Sequence, residues 1–327
     1  MLHKNLNQNI FNTDVEQAPI RKGYGTGLLK AGEQNESVVA LCADLTESTQ
    51  MHLFKEKFPN RFIEIGVAEQ NLASVASGMS AMGKIPFISS YAMFSPGRNW
   101  EQIRTTICYN DRKVIIAGSH AGVSVGPDGG THQAIEDIAI TRVIPNMTVI
   151  SPCDSIEAEK ATLACLACKT PVYLRLAREK TPIITTPETP FEIGKGYVVF
   201  GDTNEIDVAI FATGALVYQS ILTAQKLTEI GKKVTVVNIH TIKPLDTALI
   251  LELAQKAKFG IVSVEEHQKA GGLGSAIAEF LSQNHPTRQA FVGVDDKFGQ
   301  SGTPLELIEH YGLGVEGITK AVSSLLE

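Results

Sequence analysis

Residues 65–79 read IGVAEQNLASVASGM, and the fold turns on them. A β-branched run, RFIEIG (61–66), gives way at a glycine to a helical repeat. Ala68, Leu72, Val75, Ala76, Met79 and Met82 recur at three- and four-residue steps, so the spacing predicts a helix over 67–82 with one buried stripe. Glu69 lies against that stripe. A carboxylate on an apolar face needs a reason, and the plain one is that a first-turn glutamate meets the helix dipole and free backbone N–H groups.

Outward from this unit the same rhythm repeats. SVVALCAD (37–44), KIPFISSYA (84–92), RKVIIAGSH (112–120), MTVISPCD (147–154) and PVYLRLA (171–177) are short apolar runs, with helical patterns at 67–82, 98–109, 133–143 and 154–168. Continuous apolar strands alternating with helices predict a parallel sheet covered on both faces. A stretch with Pro182, Pro187 and Pro190 resists helix and central strand and reads as a linker. Beyond it, DVAIFATG, KKVTVVNIH, GIVSVEEH and AFVGVDD alternate with helical patterns. The fold class is therefore α/β, as two parallel-sheet α/β domains: 1–183, a Pro-rich linker at 184–193, and 194–327.

The chain has 327 residues, 43% hydrophobic content and a net charge of −6. It offers no basic field and no Lys/Arg cluster interleaved with aromatics, so nucleic acid is not expected as a partner. The polar N-terminus lacks the apolar segment of a signal peptide, and no run of about 18 apolar residues could span a bilayer. A cytoplasmic location with no membrane association is expected. The five cysteines suit a reducing compartment, and the Cys165/Cys168 pair lies in a helical pattern without a second pair, so packing rather than metal is expected of it. Of two glycine clusters, GYGTG (23–27) follows no strand pattern, and AGGLGS (270–275) lacks the full phosphate-loop spacing, although the helix after it could hold an anion.

Ligands of open α/β sheets collect at the carboxyl ends of the strands. Read so, Asp44, Glu69, Tyr91, Phe94 and His120 follow successive strands, and the loop SHAGVSVGPDGGTHQAIED (119–137) adds Asp128 and His132. Each has an ordinary alternative. The histidines can be loop hydrogen-bonders, the two aromatics core, Asp44 a cap, and Arg178 a surface ion-pair partner. Their convergence carries more weight than any one of them.

ADLTES (43–48), GVAEQN (66–71), SYAMF (90–94) and above all DGGTHQAIEDIAITRVIPNMTVISPCD (128–154) resemble the pyrimidine-binding region of transketolases. The resemblance continues to the C-terminus. The GDG motif of the family's other half does not occur here, so the chain resembles the C-terminal subunit of a split transketolase. The resemblance implies transfer of a two-carbon ketol unit between sugar phosphates, with thiamine diphosphate clasped between this subunit and an N-terminal partner. That partner would carry the GDG motif and the Mg2+ or Ca2+, in an assembly with two copies of each chain; no metal ligand is implied here. Glu69 matches the carboxylate that bonds the pyrimidine ring nitrogen, a role that burial on an apolar face suits. Tyr91 and Phe94 match aromatics flanking that ring, with Ile88 where a third is usual. Asp44 matches a carboxylate near the thiazolium. Arg21, His120 and Arg178, with Ser48 as a lesser candidate, match the phosphate end of the sugar channel, Asp128 a hydroxyl ligand, and His132 a catalytic contact to the two-carbon unit. Ala121, Pro127 and Gly130 depart from single-chain members, which leaves sugar specificity open. Rival readings are the beta subunit of a 2-oxo-acid decarboxylating dehydrogenase, a deoxyxylulose-phosphate synthase, and a non-catalytic interaction subunit.

Overall fold

The computed structural model describes residues 1–327. Its strands in chain order are β1 (Gln17–Pro19), β2 (Val38–Cys42), β3 (Phe62–Glu64), β4 (Ile85–Tyr91), β5 (Ile115–Ser119), β6 (Thr148–Ile150) and β7 (Val172–Arg175). They continue with β8 (Lys180–Pro182), β9 (Tyr197–Phe200), β10 (Ile206–Ala212), β11 (Val234–Asn238), β12 (Thr241–Lys243), β13 (Ala257–Gln268) and β14 (Gln289–Val294).

The first sheet runs β12-β6-β7-β5-β4-β2-β3 and the second β14-β13-β10-β11-β9. Both are parallel in their interiors, and β2, β5 and β7 are buried along their whole length, as an apolar strand covered on two faces must be. The sequence reading missed β1, β8, β9 and β12. These are short, and β9 and β12 add an antiparallel edge to the second and first sheets respectively.

Two expectations change. Residues 1–10, read as part of the first domain, pack with the second: Leu2 bridges Phe200, and Leu6 and Ile10 share a core with Val199, Phe200 and Val208. The two domains are joined by one core of 30 buried residues that runs from Leu41, Leu72 and Ile88 into Phe211, Val237 and Ile250. The proline-rich segment is pinned rather than free. Both carboxylate oxygens of buried Asp154 are used: Oδ2 accepts from the N–H groups of Ile184 and Thr185, at 2.8 and 2.6 Å, and Oδ1 from the Thr185 hydroxyl. Prolines deny a segment its own ladder, but here side chains of the first domain replace it.

Both glycine clusters serve packing. A Cβ on Gly23 would stand 1.8 Å from the Ser155 carbonyl oxygen, so the helices Ile20–Gln34 and Ser155–Ala164 meet backbone to backbone. The N–H groups of Leu273 and Gly274, which open the helix after AGGLG, donate at 2.7 and 2.8 Å to the buried carboxylate of Glu265. That helix end holds the chain's own anion. The cysteines are all free, and no helix is long and apolar enough to cross a membrane.

Candidate functional site

The helix that opened the reading spans Glu69–Ala81, and its buried face is Glu69, Leu72, Ala73, Ala76 and Ser77. The stripe is thus rotated from the expected one. Val67 and Met82 lie outside the helix and are exposed, while Glu69, 5% exposed, heads the i, i+3, i+4, i+7, i+8 row itself. Its backbone carbonyl accepts from Asn99 Nδ2 at 2.9 Å, and its Oε1 accepts from Arg98 Nη1 at 3.2 Å. The loop after β4 is thereby folded onto the helix start.

That loop carries the aromatics. The Arg98 guanidinium lies 4.3 Å over the Phe94 ring. Phe94 and Tyr91 are stacked at 5.9 Å, and Tyr91 is stacked on His120 at 3.8 Å. His132 presents its edge to Phe94 at 5.4 Å. Four planar groups therefore form a ladder running from the Glu69 carboxylate to the end of β5, with Tyr91 and Phe94 only partly buried.

At the far end of the ladder the groups are cationic. Arg21 Nη1 donates to His120 Nε2 at 2.8 Å and to the Ser48 carbonyl at 2.9 Å, so Ser48 enters through its backbone. Because Nε2 accepts, the His120 proton lies on Nδ1, which donates to Ser119 Oγ at 2.9 Å. Burial, then the cations Arg21 and Arg178, push this imidazole down to about 2, so it is neutral at any working pH. Burial and Arg178 also lower Arg21, whose Nε is buried without a partner. Two guanidiniums held near each other with a spare donor form a site that an anion would relieve. Arg178 bonds the Val125 carbonyl at 2.5 Å and faces Asp128 at 3.7 Å and Glu179 at 3.5 Å.

Asp44 stands apart from the ladder, exposed at the end of β2; its N–H donates to Glu64 Oε1 at 2.8 Å. Asp44 and His120 both have φ of 58°, a region that non-glycine residues seldom enter and that clusters at functional sites. The chain supplies no group of three His, Cys, Asp or Glu residues able to hold a metal ion.

Sequence reasoning missed Glu64, Arg98, Asn99 and Glu266. Glu266 left a signal, since two adjacent acids within the apolar strand GIVSVEEH pose the same question as Glu69. Arg98 and Asn99 left none, because their roles depend on how the loop 92–99 folds back.

The transketolase pyrimidine binding domain family matches residues 16–183, and the transketolase C-terminal domain family matches residues 196–318. A Methanocaldococcus jannaschii chain described as a transketolase C-terminal section is 42% identical over 306 residues, 93% of this chain and 95% of that one. The 6-deoxy-6-sulfo-D-fructose transketolase subunit SqwH of Clostridium sp. is 37% identical, over 97% of each chain. A solved structure titled as a split gene transketolase, inactive beta4 tetramer, superposes with a TM-score of 0.87 at 40% identity, covering 94% of this chain and 98% of that one. Two domain families across most of the chain, and relatives matching end to end, establish that it belongs to the transketolase family, as the section made of the pyrimidine-binding and C-terminal domains.

Proposed function

We propose that this chain is one half of a thiamine-diphosphate-dependent transketolase, moving a two-carbon ketol unit from a ketose phosphate to an aldose phosphate once joined to an N-terminal subunit. The observation that carries this reading is the ladder itself, with a buried carboxylate at one end, partly buried aromatics along it, and at the other two neighbouring guanidiniums, one of them with an unpartnered N–H.

Thiamine diphosphate, when bound, supplies a nucleophilic carbon and an electron sink. The residues fit such a group. Tyr91 and Phe94 would flank a flat ring, and Glu69 would bond its ring nitrogen. The orphaned Arg21 N–H and its neighbour Arg178 suit a phosphate on the sugar, oriented by neutral His120. Asp128 would bond a substrate hydroxyl and His132 an oxygen of the transferred two-carbon unit, and Asp44 would face the cofactor at the subunit contact. The diphosphate and its Mg2+ or Ca2+ fall to the partner's GDG motif, and we assign the working unit two copies of each chain. The related split-gene subunit, described as inactive when it forms a tetramer of its own kind, supports dependence on a partner.

The test is co-expression with a GDG-containing partner, followed by a thiamine-diphosphate-dependent assay across pentose and hexose phosphates. Ketol transfer that requires both chains is expected. Tight cofactor binding and turnover by this chain alone, or no transfer by the pair with any sugar phosphate, would sink the proposal.

A further inference from the structure

We infer that the second domain positions the substrate loop: Glu266 of β13 and the segment 299–304 hold residues 122–133 in the shape that presents Asp128 and His132. The consequence for catalysis rests on the reading given under Proposed function.

The loop is costly to order. Gly122, Gly126 and Gly129 have φ of 90°, 82° and 77°, a conformation only glycine enters freely, and glycine gives up the most backbone entropy when fixed. Within the first domain Arg178 holds the Val125 carbonyl and faces Asp128; the remaining holds come from the second domain. Glu266 is 3% exposed, and its Oε1 accepts from the Ser124 N–H at 2.6 Å. A Cβ on Gly122 would stand 2.3 Å from the same carboxylate, so backbone and carboxylate are in direct contact. The Glu266 carbonyl in turn accepts from Arg175 at 2.8 Å, and Arg175 is paired with Asp137 at 2.8 Å, so the buried charges are tied into the first sheet. From the other side, Gln133 Nε2 donates to the carbonyls of Val123 and Gln300 at 2.9 and 3.0 Å, bridging the loop to the second domain. Gly130 admits the Gly299 carbonyl where a Cβ would be 2.6 Å away, and Gly126 abuts Pro304.

Val123 and Val125 are fully buried on either side of Ser124, while a cavity of about 710 Å³ opens beside Ser124 and Glu266, walled further by Leu216, Tyr218, Pro304 and Ile308. The bond from the Ser124 N–H to Glu266 adds a polar restraint on the cavity side, and losing it leaves a buried donor unpaired. Glu266 is thus a positioning residue.

The experiment compares Glu266→Ala with Glu266→Gln, which keeps an acceptor oxygen of the same reach. In the full chain, hydrogen exchange of the amides of 120–133 should rise at least about tenfold in the alanine variant and stay within a few-fold of wild type in the glutamine variant. In the reconstituted complex, the alanine variant should raise KM for phosphorylated sugars by about tenfold or more while thiamine diphosphate affinity changes less than a few-fold. Unchanged loop exchange in Glu266→Ala would overturn the inference, as would exchange that rises equally across the whole chain. If that variant does not fold, Glu266→Asp, whose shorter side chain withdraws the acceptor from the Ser124 N–H, is read in the same way. A wild-type complex without ketol transfer would sink the functional proposal and leave the exchange test of the loop standing.

Discussion

Arg98 joins two parts of the site at once, donating to Glu69 Oε1 at 3.2 Å while its guanidinium sits 4.3 Å over Phe94. The carboxylate and the aromatic face are therefore set relative to each other by one side chain, which is 54% exposed at its own end. Asn99 adds the backbone half of the same fastening through the Glu69 carbonyl.

Removing that side chain should loosen the pair without unfolding the domain. A half-exposed ion pair plus a cation–π contact is worth about 1 kcal/mol. Arg98→Ala is expected to lower Tm by no more than a few degrees and to weaken thiamine diphosphate binding by the two-chain complex several-fold, measured by calorimetry. Arg98→Lys should recover only part, because an ammonium lacks the planar fork. Unchanged affinity in both variants would show that the pair has no such role.

The interior of the fold was legible in the sequence because β2, β4, β5, β7, β10, β11 and β13 are long or continuously apolar, and burial leaves that mark. The short strands β1, β8, β9 and β12 were not, since three or four residues such as Tyr197–Phe200 carry no periodicity. Tyr91, Phe94 and His120 could be placed together because each follows a parallel strand. The bonds that fix them could not: Arg21 reaching His120 spans 99 positions, and Glu266 reaching Ser124 spans 142. The rotated stripe of the helix at Glu69 was unreadable for a related reason. Alanine and serine, as at Ala73 and Ser77, are tolerated on either face, so only the packing partner decides.

Asp154 should prove a main fastening of the proline-rich segment. It caps the helix Ser155–Ala164 by accepting from the Glu157 N–H at 2.8 Å, and it takes two further backbone N–H groups from the segment. Asp154→Ala strands these buried donors and is expected to cost on the order of 3–5 kcal/mol. The urea midpoint measures this, and a change under about 1 kcal/mol would contradict it.

The stability of the chain should carry a mark of His120 in mild acid. In the unfolded chain this imidazole takes a proton near pH 6.5, whereas in the folded chain it resists down to about 2. Across that interval the unfolded state binds more protons, so stability falls as pH drops, by up to about 1.4 kcal/mol per unit from this group. His240 acts in the same direction. The buried carboxylates of Glu265 and Glu266, raised by burial, act in the opposite one. The informative quantity is therefore the difference between His120→Gln and wild type. The variant should show a shallower loss of Tm between about pH 6.5 and 4, and parallel curves would contradict the assignment.

Arg21 and Arg178 should matter for phosphate rather than for sugar. A charge-assisted hydrogen bond contributes about 1.5–3 kcal/mol, so either alanine variant is expected to raise KM for phosphorylated substrates by about tenfold to a hundredfold. Unphosphorylated analogues should be affected little, and equal losses for both would refute the assignment.

Under the proposed function Glu69 is buried for chemistry and not for the helix. Steady-state turnover of the reconstituted two-chain complex carrying Glu69→Gln, at saturating thiamine diphosphate and with Tm recorded alongside, tests it most directly. Glutamine keeps the size and an acceptor for Arg98 but cannot share a proton, so turnover should fall by about a hundredfold or more while Tm holds or rises. Turnover near wild type in a folded, cofactor-loaded complex would contradict the account.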